Sequence, residues 1–199
     1  MKRDDARRLP VDLALVHYPV LNRRGETIGA AVTNLDLHDI ARAARTYGID
    51  TYWLVTPFRE QRQMVGEILD HWRRGHGALY NPLRSEALSR IGLCADLEEL
   101  LERTTEKWGE KPLVLATSAG AADALFPYGR VRGLISDRRP LLLLFGTGWG
   151  LAPEALVSVD GFLPPLHGPG EYNHLSVRSA ASIILDRLLA DRDENEENK

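Results

Sequence analysis

A glycine-rich loop follows a strongly apolar run in the second half of the chain. Residues 141–154 read LLLLFGTGWGLAPE, so that four leucines and Phe145 lead directly into Gly146, Gly148 and Gly150. Apolar runs of this length are typical of buried strands in parallel sheets. A glycine-rich turn after such a strand lets a ligand approach bare backbone. The pattern predicts a binding loop, and a turn that is sharp for structural reasons alone is the alternative.

The spacing of the glycines excludes the common nucleotide-binding loops. It is G-x-G-x-G, whereas a dinucleotide site needs G-x-G-x-x-G before a long helix. No Gly-Lys-Ser/Thr follows, so the loop is not a Walker phosphate loop. No G-x-S-x-G nucleophile elbow is present either. The backbone groups of this loop suit a flat, neutral edge such as adenine better than a phosphate chain.

Two further loops of small or rigid residues follow predicted strands. Residues 115–120 read LATSAG, and residues 163–170 read LPPLHGPG before the chain continues into EYNHLS. In a parallel sheet the loops that follow strands share the carboxyl edge, where ligands bind. The three loops together therefore predict one pocket.

Arg42 is the first candidate for a functional side chain outside these loops. The apolar residues of segment 37–47 fall on one face of a predicted helix, and His38, Arg42 and Arg45 lie on the other at spacings of four and three. Arginine does not act as a base in water, but it binds phosphates and oxyanions. Two solvated arginines on a surface helix are the alternative interpretation.

The elements that must position these residues alternate between short apolar runs and longer amphipathic segments. This alternation predicts an α/β fold, with a parallel-rich sheet of about six strands covered by helices on both faces. The predicted strands are Val11–His17, Thr51–Val55, Ile91–Cys94, Leu113–Thr117, Leu141–Phe145 and Ser158–Leu163. The predicted helices are Leu37–Tyr47, Phe58–Trp72, Asp96–Trp108, Ala121–Phe126 or beyond, and Ser176–Leu189, the last capped by Asn173 or Ser176.

Composition sets the class of protein. The chain has 199 residues, 44% hydrophobic and 27% charged, which is typical of a soluble globular protein. We expect one domain over residues 1–190, an acidic disordered tail over 191–199, and a cytoplasmic location without signal peptide or membrane span. The single cysteine, Cys94, is expected in the core, and the six histidines have no metal-ligand spacing, so no metal site is expected.

Three segments resemble motifs of the SPOUT class of S-adenosylmethionine-dependent RNA methyltransferases. TNLDLHDIARAARTYGIDTYWLVTP (33–57) is similar to the N-terminal motif of the class, where a capped helix carries an arginine six residues before a glycine. LLLLFGTGWGLAPE is similar to the glycine-rich cofactor loop of the class. LPPLHGPGEYNHLSVRSAASIILDRL (163–188) is similar to its last motif, a proline-bearing loop followed by an alanine-rich helix.

The resemblance implies a C-terminal deep trefoil knot that binds S-adenosylmethionine, and a homodimer, to which exposed rings at Trp149 and Tyr172 would contribute. It implies methyl transfer to a structured RNA, tRNA or rRNA, at guanine N1 or ribose 2′-O. The implied catalytic residues are Arg42, Asn173 and His174. The implied cofactor-binding residues are Thr117, Ser118, Phe145, Gly146, Thr147, Gly148, Gly150, Leu163, Pro164, Pro165, Leu166, Asn173, Leu175 and Ser176.

The last motif departs from the ribose-methylating branch of the class. His174 stands where that branch has an asparagine, so ribose 2′-O and guanine N1 both stay open as targets, with Glu171 and Asp39 as further candidate bases. The basic segments 73–82 and 130–139 can contact RNA or be solvated surface. A binding protein of the same fold without catalysis, and an NAD-linked oxidoreductase, are the rival functions.

Overall fold

A six-stranded sheet forms the centre of the computed structural model, which describes residues 9–120 and 124–190. All neighbouring strands in this sheet are parallel, as the apolar runs predict. The strands are β1 (Val11–Val16), β4 (Tyr52–Val55), β5 (Ile91–Cys94), β6 (Leu113–Ala116), β7 (Leu141–Gly146) and β8 (Gly161–Phe162), in the spatial order β5-β4-β1-β7-β6-β8. A separate antiparallel hairpin consists of β2 (Val20–Leu21) and β3 (Thr27–Ile28).

Helices cover both faces of the sheet. They are α1 (Asn34–Thr46), α2 (Arg59–Arg73), α3 (His76–Tyr80), α4 (Pro82–Ser89), α5 (Leu97–Trp108), α6 (Tyr128–Ser136), α7 (Pro153–Leu156) and α8 (Val177–Leu189). One apolar cluster joins the sheet to α1, α2, α4, α6 and α8, and a second joins its other face to α5 and α7. The predicted α/β class and the two-sided cover are confirmed.

The central strand β1 shows why the apolar runs are nearly continuous. Val11, Leu13 and Leu15 belong to one cluster, while Ala14 and Val16 belong to the other. Successive side chains of a strand point to opposite faces, so a strand covered on both sides needs apolar residues at both.

The predicted helix Ala121–Phe126 is wrong for the part that the structure describes. Residues 121–123 lie outside the described ranges, Ala124 has φ 54°, and the Phe126 N–H donates to the Phe162 carbonyl over 2.8 Å. The helix of this region is α6, which begins after Pro127. A residue that precedes proline is biased away from helical φ and ψ, so Phe126 could not carry a helix into Pro127.

Three smaller predictions concern Cys94, the C-terminal tail and membrane-spanning helices. Cys94 is buried, with 1% of its surface exposed, as predicted. The acidic segment 191–199 lies outside the described residues. None of the helices within the described ranges is long and apolar enough to cross a membrane.

Candidate functional site

A cavity of about 840 Å³ opens at the carboxyl edge of the sheet, where the loops after β6, β7 and β8 converge. This volume is typical of small-molecule sites. Leu163 does not line the cavity, because its side chain is buried in the core and its N–H donates to the Ala116 carbonyl over 2.9 Å. The other residues predicted for cofactor binding line the cavity, and so does His174, a predicted catalytic residue. They are Thr117, Ser118, Phe145, Gly146, Thr147, Gly148, Gly150, Pro164, Pro165, Leu166, Asn173, Leu175 and Ser176.

The glycine loop has its shape because it packs against the β2–β3 hairpin. Gly148 and Gly150 have φ of 59° and 105°, values that side chains rarely allow. A Cβ on Gly148 would lie 2.7 Å from the Leu21 carbonyl oxygen, and one on Gly146 would lie 2.6 Å from the backbone nitrogen of Leu151. The glycines are therefore required for a tight turn, and that turn forms a wall of the cavity.

Hydrogen bonds join the other two loops to each other and to their surroundings. The Asn173 side-chain amide donates to the Ala119 carbonyl over 3.0 Å, which connects the loop after β8 to the loop after β6. The Tyr128 hydroxyl donates to the Pro164 carbonyl over 3.1 Å. Ser176 caps α8 by accepting from the Ser179 N–H, so of the two predicted caps Ser176 is correct. Asn173 instead holds two walls of the cavity together.

An ion pair that sequence reasoning missed lies in the cavity wall. Arg178 donates to Asp36 over 2.8 Å, and its Nε lies 3.5 Å from Asp39. The Asp36 side chain is only 6% exposed and also accepts from the Thr33 hydroxyl over 2.6 Å. Both Asp36 and Arg178 line the cavity. The pair fixes the start of α8 against the start of α1, and it places a mostly buried carboxylate in the wall of the cavity.

Arg42 lies on the exposed face of α1, in a shallow groove beside the main cavity. Ser176 and Arg178 belong to the walls of both the groove and the cavity, so the two are adjacent. Among the described residues the Arg42 guanidinium has no hydrogen-bond or ion-pair partner, whereas Arg45 is paired with Glu86 of α4. Arg42 is thus open to an external anion, while Arg45 has a structural contact.

The basic segments that were candidate RNA contacts are largely engaged within the chain. Arg73 donates to the carbonyls of Leu88, Ser89 and Ile91, and Arg132 donates to the Arg187 carbonyl. Further contacts of the same kind involve Arg130, which stacks on Phe126, and Arg139, which pairs with Glu110. These arginines therefore stabilise the fold, and solvated or structural surface is the better interpretation of both segments.

Comparison with known proteins identifies the family. A sequence model of the SAM-dependent RNA methyltransferases matches residues 10–190. The chain belongs to this family. Among its relatives is a tRNA (guanine-N(1)-)-methyltransferase of Nitratidesulfovibrio vulgaris, 46% identical over 178 residues, which cover 89% of the chain and 41% of the relative. The chain thus spans about two fifths of that longer protein. An uncharacterized protein of Aquifex aeolicus is 39% identical over 181 residues, 90% of the chain and 88% of the relative.

The fold of the chain has solved counterparts. The TrmH/SpoU tRNA modifying enzyme of Aquifex aeolicus superposes with a TM-score of 0.56 at 16% identity, covering 92% of the chain and 75% of that enzyme. The likeness confirms the resemblance to the SPOUT class at the level of fold.

The cavity fits S-adenosylmethionine, the cofactor of the family. Three residues in its wall, Gly148, Leu166 and Leu175, have backbone N–H groups with no acceptor among the described residues. Such groups, with the loop carbonyls, can pair with the acceptors and donors of an adenine edge. Arg178 and Asp36 supply charges of both signs, which the carboxylate and ammonium of the methionine moiety require. Among the described residues no group of side chains could hold a metal ion.

Proposed function

We propose that the chain transfers a methyl group from S-adenosylmethionine to a nucleotide of tRNA, in the cytoplasm, and that residues 1–190 act as one domain. The observation that carries the proposal is the cavity at the carboxyl edge, built from the three loops that resemble the SPOUT motifs, in a chain of this family. The tRNA substrate is inferred from the relative whose name specifies tRNA.

The bound cofactor supplies a methyl group on a positively charged sulfur. The residues of the chain have the task of orientation, since methyl transfer depends on an in-line approach of the acceptor. Gly148, Leu166 and Leu175 would bind the adenine edge, and Arg178 with Asp36 would hold the amino-acid end. Because an OH or N1–H acceptor must lose a proton, a base is needed at the mouth of the cavity. His174 is exposed there, and a neutral imidazole has one nitrogen free to accept a proton.

Arg42 would bind a phosphate of the RNA or the reacting oxygen. Its free guanidinium and the groove next to the cavity support this role. We expect Arg42→Ala to lower the single-turnover methylation rate about 10²–10³-fold, the usual effect of removing a charged transition-state contact. Affinity for S-adenosylmethionine should change little, because Arg42 does not line the cavity.

Arg45→Ala is the matched control for Arg42. It removes an arginine of the same helix whose partner is Glu86, so it should affect stability more than rate. Equal rates in the two variants, both near that of wild type, would show that Arg42 is only a surface charge. A parallel loss of cofactor affinity would show that the helix shapes the pocket.

The resemblance also supports a trefoil knot formed by the C-terminal segment and a homodimer as the active form. The hydrogen bond from Asn173 to Ala119 agrees with a tightly held C-terminal segment. Exposed apolar side chains in the walls of the groove and of the adjacent cavity favour self-association, among them Ile183 and Leu175, which are 36% and 49% exposed. Sedimentation should give about twice the chain mass of 22.2 kDa, and a single 22.2 kDa species at micromolar concentration would contradict the dimer.

Mass spectrometry of nucleosides tests the function and identifies the acceptor atom. The tRNA of a strain that lacks the gene is incubated with the protein and with S-adenosylmethionine carrying a deuterated methyl group. We expect one labelled nucleoside, either 1-methylguanosine or a 2′-O-methylnucleoside. Label in rRNA but not in tRNA would show that the substrate is rRNA instead of tRNA. No label in any RNA, with intact cofactor binding, would support the rival function of a binding protein without catalysis.

A further inference from the structure

Three aromatic rings meet at the mouth of the cofactor cavity. Trp149 belongs to the glycine loop, while Tyr172 and His174 belong to the loop after β8. The ring centres of Trp149 and His174 are 6.5 Å apart, those of Tyr172 and His174 are 5.4 Å apart, and both pairs meet edge to face. Trp149 and His174 line the cavity itself. We refer to these three residues as the aromatic cluster.

The aromatic cluster is exposed to solvent, and Trp149 is the exposed tryptophan among the described residues. Trp149 is 59% exposed and Tyr172 is 81% exposed. The other tryptophans, Trp53, Trp72 and Trp108, are buried or half-buried. Aromatic rings bury large apolar areas when they find a partner, so an exposed cluster beside a ligand cavity indicates a surface that a ligand covers.

The backbone beneath Trp149 is held in place, so the ring is presented rather than free to fold away. The Trp149 N–H donates to the Leu21 carbonyl over 2.9 Å, and the Gly150 carbonyl accepts from the Leu21 N–H over 2.9 Å. A Cβ on Gly148, the residue before the tryptophan, would lie only 2.7 Å from the same carbonyl oxygen, so the loop already packs closely against the hairpin. The loop therefore cannot shift towards the hairpin to bury the indole.

We propose that the aromatic cluster receives the base of the acceptor nucleotide after that base has left the RNA stack. The inference rests on the proposed function and extends it to the way in which the substrate is bound. A nucleotide that is stacked in the RNA must be extruded before its acceptor atom can reach a methyl group inside the cavity, and extrusion costs unstacking energy. Stacking on aromatic side chains recovers part of that energy and does not depend on base identity, since every base has a π-face.

The location and the composition of the aromatic cluster favour a nucleobase as its ligand. The rings border the cavity mouth, and they lie on two of the loops that form it. A phosphate contact would need cations, but the aromatic cluster contains no lysine or arginine. The unpaired Arg42 lies instead in the adjacent groove, where the backbone of the same nucleotide could run.

Matched substitutions separate stacking from simple apolar bulk. Trp149→Phe and Tyr172→Phe keep a ring, whereas Trp149→Leu and Tyr172→Leu keep apolar volume without a π-face. The probe is tRNA from a strain that lacks the gene, titrated into protein saturated with S-adenosylhomocysteine. Loss of a base–aromatic stack should weaken tRNA binding about 5- to 150-fold in each leucine variant. The phenylalanine variants should stay within about threefold of wild type. Affinity for S-adenosylmethionine and sedimentation are measured for the same proteins.

Five outcomes are informative. Weaker tRNA binding in the leucine variants alone, with cofactor affinity and oligomeric state unchanged, supports the proposal. Unchanged tRNA binding in those variants overturns it, as does an equal loss of cofactor affinity, which would assign the rings to the cofactor pocket. Dissociation of a dimer in the leucine variants would assign the aromatic cluster to a protein interface and also overturns it. A wild-type protein that methylates no RNA would instead refute the proposed function itself.

Discussion

Removal of Arg178 tests whether the charge pair in the cavity wall behaves as a buried or as a surface interaction. Arg178→Leu would leave the Asp36 carboxylate, 6% exposed, with only the Thr33 hydroxyl and its own backbone contacts. Loss of one partner of a fully buried pair costs about 3–5 kcal/mol, whereas an exposed pair contributes about 0–1 kcal/mol. Because the Arg178 side chain is 31% exposed, we expect an intermediate loss of about 2–3 kcal/mol.

The assay is urea unfolding followed by circular dichroism, with a double variant as its internal control. In the double variant Arg178→Leu with Asp36→Asn, the unpaired carboxylate charge is removed as well. The double variant should therefore recover more than half of the stability that Arg178→Leu loses. Arg74→Leu is the surface control, since Arg74 lies 4.0 Å from Asp70 and both side chains are largely exposed. If Arg178→Leu costs no more than Arg74→Leu, the pair does not fix α8 to α1 and the reasoning is refuted.

Three further predictions concern stability and reactivity. Lys107→Met should lower the free energy of unfolding in urea by about 2–4 kcal/mol, because it leaves the fully buried Asp12 carboxylate without the lysine that donates to it over 2.6 Å. A loss below about 0.5 kcal/mol would contradict this prediction. Burial raises the pKa of the Cys94 thiol to about 12, so a thiol reagent at pH 8 should react slowly with native protein and rapidly in urea; fast native reaction would refute the burial. Burial lowers the pKa of His17, so the unfolded chain binds a proton at this residue before the folded chain does as pH falls below about 6.5. The free energy of unfolding should therefore fall by up to about 1.4 kcal/mol per pH unit. His17→Gln should reduce this slope, and an unchanged slope in the variant would contradict the prediction.

The sheet could be predicted from the sequence because its strands are apolar on both faces. The runs around Leu13, Leu54 and Leu93 are short, and each is followed by a predicted helix, which leaves a parallel sheet as the simplest arrangement. The three binding loops could be predicted for the same reason, since each follows such a strand. The β2–β3 hairpin could not, because strands of two residues are too short to show a periodicity.

The ion pair in the cavity wall could not be predicted from the sequence either. Asp36 and Arg178 are 142 residues apart, and each has an ordinary local explanation, one as an acidic residue in the first turn of α1 and the other as a polar position of α8. Only the packing of α1 against α8 brings them together. A local signal did exist for α6, because Pro127 favours a helix that begins at Tyr128 over one that contains Phe126.

Calorimetric titration of S-adenosylmethionine into wild-type protein and into Gly148→Val is the most direct test of the central claim, that the cavity at the carboxyl edge is the cofactor site. The valine would place a Cβ 2.7 Å from the Leu21 carbonyl oxygen at φ 59°, so it should distort the glycine loop and abolish binding while circular dichroism shows an intact fold. NAD, titrated in parallel, should not bind wild-type protein. Binding of NAD in place of S-adenosylmethionine, or an unchanged affinity for S-adenosylmethionine in Gly148→Val, would contradict the claim.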